Sequence, residues 1–460
     1  MPRPMVTSEF IRTKASSPVA IGTRVMALIG HGGDSFGVQE RVTRGAGDTD
    51  TLAHTATAIT KVGNFKGTEE YVTPTDYVLD AGAIRWAVGG NKPNTNQKYY
   101  VTYTFTKAPA DYTPFLTDNM NEVIAKCGSI RITSGALNIT SYLTAAAQIA
   151  FDIGIRQVII CQVETNDITG FANAYDKLEN PVSGINPYYI VPLLSSLPDQ
   201  ISFDTAKGTA ITHVNKMSSE EFGKERQLYI GKKDYSGSGY GVDDFINEAA
   251  ALASSRVILC GNYDPIRVLI DATPGVSTSP QNIVLDGSFE AVKNAAFRTT
   301  QFVSDPMMNR PQTGAFVGYN TVWGDIEIDT LVDGGVCVSE EVLGIIKVVD
   351  DITTDISDEI EIDIATVEAR DTLISGVRKA VELKYKGARG ENIVSSQLKS
   401  FTETYIEQRM GDGLIAGKGS VSANRQTGSL RKWEIMFTYL PVTKVRDIVI
   451  RFSVDLGLAA

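Results

Sequence analysis

Glu225-Arg226-Gln227-Leu228-Tyr229-Ile230-Gly231 and Val257-Ile258-Leu259-Cys260, with a helical stretch over 243–255 between them, decide the fold. Each run carries a short apolar stretch, Leu228-Tyr229-Ile230 in the first and all of the second, and each is followed by residues that break a strand. A strand, a helix and a second strand in that order build a sheet covered by helices. The alternation continues outward. Upstream it predicts a helix over 204–218, strands over 188–194 and 157–163, and a helix over 140–152. Downstream it predicts a helix over 289–303. The expected fold class is therefore multidomain α/β, with an α/β domain over 115–334.

The flanks have other periods. Residues 35–114 carry β signals: Tyr71-Val72-Thr73, Asp76-Tyr77-Val78-Leu79, Ile84-Arg85-Trp86-Ala87-Val88 and Tyr99 to Phe105. Turn residues such as Asp80-Ala81-Gly82 separate them, so a small all-β domain is expected. Ile21 to Gly30 reads as one more strand. Towards the C-terminus, Glu359-Ile360-Glu361-Ile362-Asp363-Ile364 alternates and predicts a strand. Ile374, Val377, Val381 and Tyr385 then form one helical stripe, and Leu398, Phe401 and Tyr405 another. Two alternating runs close the chain. Trp433, Ile435, Phe437 and Tyr439 share one face of the first, and Ile448, Ile450, Phe452, Val454 and Leu456 share one face of the second.

Composition narrows the function classes. A chain of 460 residues exceeds one ordinary core. Hydrophobic residues at 43% and charged residues at 21% are globular values. A net charge of −11 disfavours nucleic-acid backbones and anionic membrane surfaces, so neither is an expected partner. Cys127, Cys161, Cys260 and Cys337 are far apart, and two of them lie in apolar runs; buried reduced thiols are expected, as for folding in a cytoplasm. The N-terminus, Met1-Pro2-Arg3-Pro4-Met5, carries no apolar core of a leader. Residues 1–20 read as an arm, with Pro2, Pro4 and Pro18 among Ser and Thr.

Catalytic and metal motifs do not emerge. His31, His54 and His213 have no histidine or cysteine at ligand spacing. Gly30-His31-Gly32-Gly33-Asp34 lacks the Lys-Ser/Thr pair of a phosphate loop and reads as a connection between domains. Gly417-Lys418-Gly419-Ser420 fails the same test and reads as a loop leading to a strand. Glu164, Asp199 and Asp264 are the candidates for an enzyme built on strand ends, with no nucleophile or cofactor loop beside them. No cofactor, metal or catalytic residue is implied. Asp350, Asp351, Asp355, Asp358, Glu359, Glu361 and Asp363 read as the wet face of a strand edge. Over 367–389, Arg370, Arg378, Lys379, Lys384, Lys386 and Arg389 outnumber the acids, which makes Arg378, Lys379 and Lys386 candidates for steering an acidic partner.

Three stretches resemble contractile phage tail sheath proteins: Asp76-Tyr77-Val78-Leu79 through Tyr99-Tyr100-Val101-Thr102-Tyr103; Tyr189-Ile190-Val191-Pro192-Leu193-Leu194, the helix around His213 and Glu225 to Gly231; and the region from Thr366 onward. The resemblance implies a structural subunit and not an enzyme. It implies an inner α+β domain split between 21–34 and 335–460, with the other two domains inserted in it, and extended arms at both termini. It implies homo-oligomerisation as stacked hexameric rings around a tail tube, with baseplate and tail terminator proteins as further partners, in a virion tail assembled in the host cytoplasm. It implies arms that add strands to neighbours and a contraction that drives the tube through the host envelope. On this reading Ile448, Ile450, Phe452, Val454 and Leu456 form an exchanged strand, Trp433, Ile435 and Phe437 its acceptor, and Arg378, Lys379 and Lys386 face the tube. A different tail component, baseplate or tube-associated, is the alternative, and an α/β-domain enzyme a more distant one.

Overall fold

A computed structural model describes residues 24–33, 35–64, 69–272, 279–358, 360–385, 394–425, 427 and 433–444. They fall into two compact units. One runs from Arg24 to Phe302 and from Met307 to Ser357; the described part of the other is 303–306 and the residues from 358 onward.

A seven-stranded sheet centres the first unit. Its order is Val336–Cys337, Val257–Cys260, Gln227–Gly231, Pro187–Pro192, Val25–Gly30, Val158–Gln162 and Phe115–Thr117. All neighbours are parallel except the last pair. Val25–Gly30, Val158–Gln162, Gln227–Gly231 and Val257–Cys260 are buried at every position, as parallel strands covered on both faces must be. Val25, Ala27 and Ile29 enter one core with the helices Ile168–Leu178 and Gln200–Met217, through Phe171, Tyr175, Phe203 and Val214. Met26 and Leu28 alternate to the opposite face. The helices Tyr142–Ile153 and Gly287–Thr300 pack against each other and against the sheet. Asp167 and Asp199 cap their helices by accepting from the N–H of Gly170 and Ser202, at 2.7 and 2.8 Å.

The expected alternation of strands and helices over 140–303 is present, with ends shifted by a few residues. The placement of 21–34 and 335–357 differs. Val25–Gly30, expected in one domain with the C-terminal helices, is instead an interior strand of this sheet, between Pro187–Pro192 and Val158–Gln162, and Val336–Cys337 is an edge of the same sheet. A short apolar strand carries no mark of the sheet it will join; only pairing with Val158–Gln162 and Pro187–Pro192 sets that.

Between Gly30 and Phe115 lies the all-β part. It has one sheet of Ser35–Thr43, Lys98–Thr106, Ala56–Asn64 and Glu70–Tyr71, and a second of Thr49–Asp50, Ala83–Trp86 and Tyr77–Asp80. Tyr71, Tyr77, Trp86, Tyr99, Tyr103 and Phe105 make its core. Buried Asp50 ties the sheets together by accepting from Trp86 Nε1 at 2.8 Å, Tyr99 Oη at 2.7 Å and the Gly45 N–H at 2.8 Å. A buried carboxylate is tolerable when its oxygens are filled in this way.

The Gly287–Thr300 helix carries two unusual features. Its first residue touches the sheet so closely that a Cβ at Gly231 would lie 1.7 Å from the Gly287 carbonyl oxygen, so only glycine fits. Further along, Glu290 and Lys293 are fully buried and paired at 2.7 Å. Lys293 also donates to Tyr319 Oη and Ser339 Oγ at 2.9 and 3.0 Å, while the Tyr319 and Ser339 hydroxyls donate to Glu290.

All four cysteines are free and buried. Burial pushes the Cys127, Cys161 and Cys260 thiols up to about 12 and the Cys337 thiol well above its usual value.

His213 makes the stability of this unit depend on pH. It is buried against Arg226, whose Nη2 donates to the Leu178 carbonyl at 2.6 Å and whose Nη1 faces His213 Nε2. Burial first, then the Arg226 charge, lowers the imidazole to about 3 from 6.5. The unfolded chain therefore binds the extra proton between those values, and stability falls as pH drops below about 6.5. From pH 7 to pH 5 this costs about 2 kcal/mol. Urea unfolding at both values is expected to show wild type losing about 2 kcal/mol more than His213→Gln. Equal losses would refute the assignment.

Candidate assembly surface of the C-terminal unit

The second unit opens, after 303–306, on a turn. Glu359–Ile364 alternates but forms no strand, Glu359 itself lying outside the described residues. Asp358 accepts from the Ile360 N–H through its side chain at 2.8 Å and from the Ile362 N–H through its carbonyl at 3.0 Å, and the helix Ile364–Tyr385 follows at once. Aspartates that satisfy nearby backbone donors favour turns over ladders. The acids are not a wet strand face either: Asp350, Asp351 and Asp363 are buried.

Helices Ile364–Tyr385 and Ser395–Gly411 pack through Leu373, Val377, Ala380, Tyr405 and Ile406. Gly376 lies where they meet; a Cβ there would lie 2.1 Å from Tyr405 Oη, so the Tyr405 side chain would have to shift. Phe401 packs edge-on to Tyr385 at 5.6 Å. Both expected stripes are therefore helices, although Ile374 is only half-buried.

A hairpin completes the unit. Gly417–Arg425 pairs antiparallel with Trp433–Leu440, with Val421 opposite Phe437 and Ala423 opposite Ile435. Gly417-Lys418-Gly419-Ser420 is thus the start of a strand and not a loop, with a bulge between Lys418 and Val421. Trp433, Ile435, Phe437 and Tyr439 share one half-buried face, while Met436 and Leu440 are 54% and 62% exposed on the other. Phe437 and Tyr439 lie against the helical core, and Arg425 covers the Trp433 ring at 5.3 Å. Among the described residues this sheet has two strands, so Trp433–Leu440 keeps one edge without a strand beside it.

The residues expected for the exchanged strand, Ile448, Ile450, Phe452, Val454 and Leu456, lie outside the described residues, as does the arm 1–20. The basic set is only partly in view. Lys379 is exposed and Arg378 half-buried on the Ile364–Tyr385 helix; Lys386 and Arg389 lie outside the described residues. Arg370 pairs with Glu361 and with Asp371, the latter at 3.4 Å, and Lys384 sits over the Phe401 ring at 4.0 Å. Those two charges serve the unit's own packing, which the charge count could not reveal.

The enzyme candidates do not converge. Glu164 pairs with Lys177 at 2.7 Å, Asp199 caps a helix, and Asp264 accepts from the Thr321 hydroxyl at 2.6 Å. In a doubly wound sheet, ligands bind beyond the strand ends where the order reverses, here at Val25–Gly30. The chain itself fills that place. Gln162 donates to the Gly33 carbonyl at 3.2 Å and accepts from Lys107, the Gly33 N–H donates to the Cys127 carbonyl at 2.8 Å, and the Leu193 N–H donates to the Ile29 carbonyl at 2.8 Å. Among the described residues no three His, Cys, Asp or Glu side chains form a metal-sized group.

Residues 19–122 match a family described as a domain of unknown function, DUF4815. The tail sheath protein of Bacillus phage SP01 is 24% identical over 394 residues, covering 82% of this chain and 65% of that protein. The tail sheath protein of Staphylococcus phage Twort is 32% identical over 100 residues, covering 20% of this chain and 17% of that protein. The chain thus spans less than two thirds of the length of either relative. Among solved structures, the contracted sheath of an extracellular contractile injection system, PVC, superposes with a TM-score of 0.53 at 10% identity, covering 74% of this chain and 86% of that one. The contracted helical sheath of the anti-feeding prophage superposes with 0.51 at 13% identity, covering 76% and 90%. These relatives are structural proteins and not enzymes. The likeness of this chain to contractile tail sheath proteins is one of sequence and of fold alike.

Proposed function

We propose that this chain is a structural subunit of a contractile tail sheath, a component of a virion tail. The observation that carries the reading is the sequence match to a tail sheath protein over 82% of the chain. The filled switch point of the main sheet supports a mechanical role, because the usual ligand crevice of this fold is closed by Gln162, Lys107 and Leu193. Subunits assemble as hexameric rings stacked around a tail tube, between a baseplate and a tail terminator. The strand Trp433–Leu440 accepts a strand from a neighbour on its open edge, which gives a main-chain linkage that tolerates rotation of the bodies. Contraction then proceeds by repacking of intersubunit contacts from a kinetically trapped extended state. Arg378, Lys379 and Lys386 face the tube.

Purified full-length chain is expected to form long hollow tubes under negative-stain electron microscopy. Deletion of residues 1–17 is expected to leave a folded protein by circular dichroism and to remove the tubes. Tubes that persist after the deletion would end the arm reading, and small closed particles from the full chain would favour a baseplate role. Lys379→Glu is expected to weaken assembly on the tube protein more at low salt than at high salt; an effect independent of salt would remove Lys379 from the tube face.

A further inference from the structure

We propose that an apolar groove beside the hairpin of Ser339–Val342 and Ile345–Val348 takes the N-terminal segment 1–23 of a second copy of this chain. This names where the arm of the sheath reading lands, and rests on that reading for copies to meet in a lattice. The groove, of about 340 Å³, lies beyond the carboxyl ends of the strands Val257–Cys260 and Val336–Cys337; Tyr319, Val322, Trp323, Asp325, Val342 and Leu343 are among the residues that line it.

The hairpin turns on Leu343 and Gly344, both with positive φ, at 53° and 77°. Such a turn suits Asn-Gly or Gly-Gly, and a leucine there works against its own backbone. The same leucine is 96% exposed, so water disfavours it too. Neither folding nor solubility accounts for it, whereas a contact with another molecule does. Val322, 77% exposed, and Val342 line the groove with it, and Ile345 lies opposite Val342 across the hairpin.

The polar part of the rim is acidic. Asp325 and Glu341 are exposed in the lining, while half-buried Glu340 lies opposite Lys347 in the hairpin. A fitting occupant joins apolar side chains to positive charge. Residues 1–23 have that character: Met5-Val6 and Phe10-Ile11 stand among Arg3, Arg12 and Lys14, against Glu9. Residues 445–460 instead balance Arg446 and Arg451 with Asp447 and Asp455. A second copy is the better source than the same copy. Val25–Gly30 runs parallel, through Pro187–Pro192 and Gln227–Gly231, to the two strands beneath the groove. The chain enters Val25–Gly30 at the sheet end opposite the groove, so a neighbour's segment arrives without doubling back over its own body.

Disulfide trapping in the full-length protein tests this. Copies carrying Ser8→Cys, marked by a size tag, are mixed with copies carrying Val322→Cys and oxidised with diamide, which takes up the two electrons and two protons the thiols lose as their sulfurs join. The native cysteines are buried and do not compete. A linked pair of unlike copies is expected on a non-reducing gel, and Val88→Cys, at an exposed position of the all-β part, is expected to give only background when it replaces Val322→Cys. Adding Leu343→Asn to the Val322→Cys copy is expected to slow linking at least about tenfold, with a melting temperature unchanged or higher because asparagine suits the turn. A link no faster than the Val88→Cys control overturns the proposal, as does a rate indifferent to Leu343→Asn. So does a double variant, Ser8→Cys with Val322→Cys, that links within one chain at high dilution. Negative-stain microscopy of the same samples keeps the two readings apart: tubes without the link sink the groove and leave the sheath, and the link without tubes does the reverse.

Discussion

Ile450→Asp is expected to abolish polymerisation while leaving the melting temperature of the monomer within about 2 °C of wild type. On the sequence alternation, Ile448, Ile450, Phe452, Val454 and Leu456 would share one fully apolar face of an extended segment, and each such side chain is worth ~1.5–3 kcal/mol when fully buried. The home hairpin is complete without them, since Trp433–Leu440 already pairs with Gly417–Arg425. What remains is its second edge, flanked by half-exposed Trp433 and Ile435. A strand lent by another copy would fill that edge, and a charge at position 450 would then damage only the joint between subunits. Ser453→Asp, on the opposite face, should be nearly silent. Scanning calorimetry and light scattering on the same samples decide the matter. If the monomer of Ile450→Asp loses several kcal/mol, the strand sits in its own subunit and the exchange is refuted.

Glu290→Ala is expected to cost the Arg24–Phe302 unit about 3–5 kcal/mol, enough to unfold much of the protein at working temperature. The variant leaves the Lys293 ammonium fully buried with only the Tyr319 and Ser339 oxygens for company. Removing both charges should hurt less. Glu290→Met combined with Lys293→Met replaces the pair with apolar volume, so its loss should be smaller than that of Glu290→Ala alone. Urea unfolding of the three proteins measures the difference. A cost below about 1 kcal/mol for Glu290→Ala would show that the pair is hydrated, contrary to its full burial.

Local periodicity revealed most of the α/β body, because runs such as Val257–Cys260 are apolar on both faces and so can only be interior strands. It did not reveal strand order. That Val25–Gly30 is interior depends on pairing with partners more than a hundred residues away, and nothing near Ile29 encodes it. Ser35–Thr43 and Ala56–Asn64 are not legible as strands because Gly37 interrupts the first, and Thr and Lys blunt the alternation of the second. Glycines 417 and 419 hid a strand in the same way, so the home partner of Trp433–Leu440 was missed although its apolar face was legible. Glu290 and Lys293, three apart, resemble an ordinary exposed helix pair; only the packing of Tyr319 and Ser339 over them puts them in the core. Asp264 could be named as a strand-end acid, but its hydrogen bond from Thr321 is a property of the fold.

The four interior thiols bear on durability. Burial holds all four far above the usual thiol range, so almost none is ionised at neutral pH, and it is the thiolate that attacks disulfides and reacts with peroxide. Air and time should therefore leave Cys127, Cys161, Cys260 and Cys337 unoxidised for as long as the fold is intact. None of them reaches a surface where it could weld one copy to the next. Were copies of this chain to slide past one another in a contracting assembly, covalent joints between them would seize it, and all four cysteine sulfurs are withdrawn from making such joints.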